Sequence, residues 1–220
     1  MKRDELLKNY YIFEFLTIFS FFLLPPMMID KIEGSIPAIT FSPFICIKIL
    51  VFGIIFFFLS RIGQPYTDGN KTYGKKVFIQ LAYFLLALLL IFALNFAFGK
   101  LKIQPQKEIK SFGFTFSDGG LKQFLLSTQI ILMACFEEIL YRKYCVTRLS
   151  IFLSNQFVAI ILSALIFALA HHYAGFAGIA YSFLCALIFS GLLTKTQNLI
   201  FPCMTHSIYN LVVFFFFCYN

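Results

Sequence analysis

VFIQLAYFLLALLLIFALNFAF, residues 77–98, decides the fold: 22 consecutive positions hold no charge and only two strongly polar side chains, Gln80 and Asn95. At ~1.5 Å per residue a helix of that length reaches about 33 Å, enough for a hydrocarbon core ~30 Å thick. A helix also closes every backbone hydrogen bond within itself, which lipid demands. Working outward, six further apolar runs occupy roughly 10–29, 44–60, 121–141, 153–173, 176–193 and 198–218. The whole chain of 220 residues is 60% hydrophobic and 13% charged, with mean hydropathy +0.85. A soluble domain carries ~25% charged residues. The sequence therefore reads as an all-α, polytopic transmembrane helical bundle of about seven spans. It contains no repeat or low-complexity linker, so 1–220 reads as a single membrane domain. The basic start runs into a membrane-length span without a small-residue cleavage site, which reads as an anchor and not as a signal peptide. The last three runs are joined by very short connections, so they should lie antiparallel. The longest connection, 99–120, reads as partly interfacial.

The net charge is +8. Its Lys and Arg residues lie between apolar runs, so they set topology and meet anionic lipid. Nucleic acid is not an expected partner. With the N-terminus cytoplasmic, inside segments hold eleven basic residues, Arg142 and Arg148 among them, and outside segments hold seven. The chain is thus expected to be multi-pass in a cell membrane, with its N-terminus inside; its small single-bundle form points to a bacterial plasma membrane. Phe is abundant, at 32 residues, and Trp is absent. Phe is a lipid-compatible filler and carries no chemistry here. Six cysteines lie without CxxC or zinc-ligand spacing, so they read as free thiols acting as small apolar groups.

Ionisable and strongly polar groups inside spans are costly and point to function. Here they are Glu14, Asn95, Glu137, Glu138, His171, His172, His206 and Asn210. Glu138 and Arg142 are i and i+4, in the order that favours an ion pair. Glu137 and Glu138 point ~100° apart on a straight helix, so they should not share a partner, and Glu137 has no partner on its own helix. Phe167 and His171 share one helix face, as do His206 and Asn210. Each such residue alone reads first as a helix-packing polar group. Glu14 reads as protonated or reaching the interface, and Gly175, Gly178 and Gly191 as points of close helix approach. Taken as a set, one carboxylate, two imidazoles, one carboxamide and one guanidinium suit hydrolysis of an amide. The carboxylate can act as base on water, and His206 with Asn210 can stabilise an oxyanion. Alternatively, Glu137, His171 and His206 can hold a divalent metal, zinc, with an open position. The sequence contains no HExxH run and no GxSxG turn. On straight helices Glu137 lies ~16 Å from Arg148 and His171 ~24 Å from Asn155, an offset that predicts helix boundaries different from the apolar runs.

Glu137-Glu138-Ile-Leu-Tyr-Arg142 resembles the EExxxR motif of the CPBP intramembrane proteases, which include the type II CAAX prenyl endopeptidases and the Abi proteins. Phe167 to His171 is similar to the family's FxxxH motif, and His206 to Asn210 to its HxxxN motif. The three cover about 15 residues within a catalytic core of about 121–215. The resemblance implies a membrane endopeptidase acting on a peptide or membrane-protein substrate, in CAAX-like processing or in bacteriocin maturation and self-immunity. Glu137 would activate water, with Glu138 and Arg142 in support. His171 and His206 would be catalytic or metal-binding, and Asn210 would join His206 at the oxyanion. A zinc site and a metal-independent Glu/His site are both compatible with it. His172 is not a motif position. A non-catalytic scaffold or immunity protein is the alternative, and a proton-coupled transporter a weaker one, since no inverted repeat is present.

Overall fold

Helix starts are set by local hydrogen bonding. Ser42 accepts from the Ile45 N–H and Pro43 follows it, which begins one helix; Asn155 accepts from the N–H groups of Phe157 and Val158, which begins another. The structure, a computed structural model, describes residues 2–24, 41–62, 73–100 and 120–217. The elements are α1 (Lys2–Ile18), which continues as a π-helical stretch (Phe19–Leu23), α2 (Pro43–Arg61), α3 (Tyr73–Lys100) and α4 (Gly120–Glu137). A second π-helical stretch (Glu138–Cys145) joins α4 to α5 (Val146–Leu153); α6 (Gln156–Ala170), a 3-10 turn (His172–Ala174), α7 (Gly175–Thr196) and α8 (Ile200–Phe217) follow. The described residues contain no strand, and the fold is an all-α bundle.

Seven full-length spans are not what the described residues show. Four helical stretches are long and apolar enough to cross a membrane: Pro43–Arg61, Val77–Lys100, Gln123–Leu153 and His172–Thr196. Two apolar helices, Gln156–Ala170 and Ile200–Phe215, are shorter. The first expected run is helical to Leu24, and its remainder lies outside the described residues. So do residues 101–119, to which the interfacial reading of 99–120 belongs. The shortfall is concentrated in α6, whose 15 residues give about 22 Å.

The fourth run corrects the topology count. The apolar stretch ends near residue 141, but the helix continues through the π-helical stretch to Leu153. Arg142 and Arg148 are therefore not loop cations. Both are buried, at 3% and 0% exposure. Setting them aside leaves the basic bias at nine to seven. The same continuation removes the offset between Glu137 and His171. Measured from the shared turn at Ser154, where φ is +53°, both lie about 24 Å along their helices.

Arg148 closes the bundle's other end. Its Nε and one Nη donate to the two carboxylate oxygens of Glu14, at 3.0 and 3.3 Å. The other Nη donates to the Ile62 carbonyl at 3.0 Å, and the Nη that meets Glu14 also donates to the Leu59 carbonyl at 2.7 Å. Tyr11 and Tyr144 cover the guanidinium. Glu14 is thus paired across 134 residues of sequence, neither lone nor interfacial. The main apolar core lies beside this pair, with Phe15, Phe56, Leu140, Tyr144 and Phe167 among its buried members.

Of the three glycines expected at close contacts, Gly178 is one, since a Cβ there would strike Ala174. Gly175 takes φ +76° to open α7, and Gly191 faces open space. Gly53 supplies another close approach: its Cβ position lies 3.8 Å from Ile139 and Phe136. All described cysteines are free thiols.

Candidate active site

Three stretches bring the site together: the junction of α4 with the π-helical stretch, the end of α6, and the middle of α8. A π-helical stretch is wider than an α-helix and is enriched at functional sites. Here it starts at Glu138 and spans eight residues. Its loosened backbone is answered from outside. The Ser163 hydroxyl on α6 donates to the Tyr141 carbonyl at 2.6 Å, and Thr147 donates to the Lys143 carbonyl at 2.5 Å.

His206 is the hub. Its Nδ1 lies 2.8 Å from Glu138 Oε1, and its Nε2 lies 3.7 Å from Glu137 Oε2. The two adjacent glutamates therefore do share a partner. The straight-helix expectation fails because one imidazole presents different edges to each, and because the helix changes pitch at Glu138. A charged carboxylate only accepts, so Nδ1 carries the hydrogen and, in the neutral ring, Nε2 is an acceptor. The ring is held flat against Phe189, with centroids 4.9 Å apart and 20° between planes.

Glu138 is fully buried, and its second oxygen meets Arg142 Nε at 3.3 Å. That contact is an ion pair whose geometry falls outside a hydrogen bond. None of the Arg142 nitrogens makes a hydrogen bond. Instead the guanidinium lies over two ring faces, Phe167 at 4.2 Å and Phe189 at 5.2 Å. A desolvated cation over a ring gains ~2 kcal/mol or more, which offsets part of what unanswered donors cost.

Glu137 differs from its neighbour. Its side chain keeps 21% exposure against 0% for Glu138. It is the carboxylate that water can reach.

His171 caps the end of α6, where the helix gives way to the 3-10 turn. Its Nδ1 lies 2.9 Å from the Phe167 carbonyl, so this ring too holds its hydrogen on Nδ1 and leaves Nε2 open. The Phe167 ring touches both imidazoles, with centroids 4.5 Å from His171 and 6.4 Å from His206. The aromatic of the Phe-to-His motif is thus the spacer between the two histidines. Asn210 is half-buried one turn beyond His206 on the same face of α8. His172 turns back on its own helix, Nδ1 to the Leu169 carbonyl at 3.0 Å. Asn95 is half-buried on α3.

The donor chemistry of Glu137 and two open Nε2 atoms suits a divalent cation. The spacing does not. Among the described residues no group of three or more His, Cys, Asp or Glu side chains could hold one ion. Sequence reasoning missed Phe189 and Ser163, because a Phe among 32 and a Ser facing a carbonyl 22 residues away give no local signal. Tyr173, whose ring is 5.8 Å from that of His171 and which lies within electrostatic reach of Glu137, was also missed.

Residues 121–212 match the family model for the type II CAAX prenyl endopeptidase, Rce1-like. The match supports a likeness of that segment to the CPBP membrane proteases and, at the family level only, to intramembrane CAAX-type peptidases. No curated protein and no solved structure gives a significant match.

Proposed function

We propose that the protein cleaves a peptide bond with a water held between Glu137 and His206. The observation that carries this reading is the 3.7 Å gap between Glu137 Oε2 and His206 Nε2, two acceptors facing one another beside the more exposed carboxylate. One water can donate a hydrogen to each, which turns its lone pair outward toward a substrate carbonyl. Glu137 takes the first proton as the oxygen attacks the carbonyl carbon. The oxyanion is met by the Asn210 carboxamide, since the neutral His206 ring has no N–H left for it. Glu137 then returns the proton to the amide nitrogen as the C–N bond breaks, giving a carboxylic acid and an amine, and the acid then loses its proton to the amine or to water. Glu138 holds the tautomer and orientation of His206, and Arg142 balances Glu138. His171 borders the substrate side through Phe167.

The substrate we assign is a membrane-associated peptide or protein processed in the CAAX manner, following the family match. Bacteriocin maturation or self-immunity has no geometric feature in its favour over this. The N-terminus is proposed to lie in the cytoplasm, in a bacterial plasma membrane, with 1–220 as one domain and 121–215 as its catalytic core.

Purified protein should cleave a reporter peptide, and Glu137→Gln and His206→Ala should not, while both variants unfold at temperatures near that of the wild type. Cleavage by both variants at the wild-type rate would sink the mechanism. Prolonged chelation should leave the wild-type rate unchanged, with metal content measured before and after. Loss on chelation and recovery with zinc would restore the Glu137, His171 and His206 metal site instead.

A further inference from the structure

A cavity of about 760 Å³ lies between α2, α4 with its π-helical continuation, and α8. None of Glu137, Glu138, His171, His206 or Asn210 lines it. Its volume falls in the ~300–1,000 Å³ range of ligand sites. Its walls are strongly asymmetric. At one end stand Arg61 and Lys143, together with the turn that joins α7 to α8. Toward the other end the lining is apolar, ending at Ile131 on α4 and Leu211 on α8.

Two features identify the occupant. The first is length. From Lys143 to Ile131, and from Ile200 to Leu211, the lining covers eleven to twelve helical positions, about 17 Å at ~1.5 Å each. Half of a ~30 Å hydrocarbon core is about 15 Å. The slot is one leaflet long.

The second is charge. Arg61 and Lys143 stand within electrostatic reach of each other. No acidic side chain lines the cavity, and neither cation forms an ion pair among the described residues. Arg61 lies over the Phe57 ring at 5.0 Å, and both line the cavity. The α8 N-terminus, capped by Asn198 at the Ile200 N–H, adds its positive end there. Two like charges at the mouth of an apolar slot call for an anion that carries a chain.

We propose that this cavity binds an anionic phospholipid, one acyl chain between α4 and α8 and the phosphate at Arg61 and Lys143. The site is independent of the protease reading. A lipid seated there would brace α8 from behind, along the wall that carries Ser207 next to His206.

The test is native mass spectrometry of the full chain released from detergent micelles, with phosphatidylglycerol or chain-matched phosphatidylcholine added. Wild type should retain phosphatidylglycerol selectively. Arg61→Gln with Lys143→Gln should weaken that retention about thirtyfold, the loss expected for two basic contacts, and leave phosphatidylcholine unchanged. Ile131→Trp fills the chain end and should abolish retention with both charges intact. Thermal unfolding supplies a second readout: phosphatidylglycerol should raise the midpoint of the wild type, and inorganic phosphate should not. Equal retention of the two lipids, an unaffected double variant, or stabilisation by phosphate alone would each overturn the proposal. So would a lipidated peptide co-purifying in the cavity in place of phospholipid.

Discussion

Arg142 and Arg148 sit six residues apart on one continuous helical stretch, both buried, both facing a glutamate, and their surroundings are opposite. Arg148 has a forked pair with Glu14 and two carbonyls, so each of its three nitrogens has a protein partner. Arg142 has one 3.3 Å ion pair, two aromatic faces and no hydrogen bond. A fully answered buried charge is a structural fastening. An incompletely answered one, next to a partly exposed carboxylate, leaves donors without a hydrogen-bond acceptor. The same residue type on the same helical stretch thus stands in two different environments, set by the partners.

The contrast can be broken or sharpened by mutation. The largest effect should come from Glu137→Gln, which removes the base and should slow cleavage by roughly 10²–10⁴-fold with little change in unfolding temperature. Arg148→Ala should do the reverse. It strands Glu14 and should cost about 3–5 kcal/mol of stability, read by thermal or chemical unfolding in detergent. Replacing both Glu14 and Arg148 by Leu should recover most of that loss. If the double variant stays as unstable as the single, Arg148 acts through its carbonyl contacts and not through the ion pair. Asn210→Ala should lower kcat by about 10²–10³, the usual cost of an oxyanion donor, again without unfolding the protein. A KM effect alone would remove Asn210 from the chemistry. Smallest is Ser163→Ala. It removes the hydroxyl that answers the Tyr141 carbonyl, and should cost about 1 kcal/mol in stability together with a partial loss of rate.

The apolar runs and the Glu138–Arg142 spacing were legible because both depend on neighbours in sequence. The all-α bundle follows from residues such as 77–98, where hydropathy alone excludes other folds. The same local view misplaced Arg148. Hydropathy falls at residue 141, and a cation neutralised by Glu14 from 134 positions away looks like a cation in a loop. The π-helical stretch was hidden for a similar reason. What holds it is Ser163, on another helix. Glu137 has no partner on its own helix, and its neighbour His206 lies on α8, held by Glu138 through the other ring nitrogen. Motif spacing pointed to which side chains meet, and only the packing revealed which edge each one offers.

The short α6 has a consequence beyond the site. Its 15 residues extend about 22 Å, some 8 Å less than a typical ~30 Å hydrocarbon layer. Phe157, Leu165 and Leu169 on its outer face are exposed to the surroundings of the bundle. Lipid beside α6 must therefore pinch inward, at a cost of a fraction of a kcal/mol for each ångström of mismatch. Such a dimple would bring headgroups and water closer to the level of His171, and a thinner bilayer would need less of it.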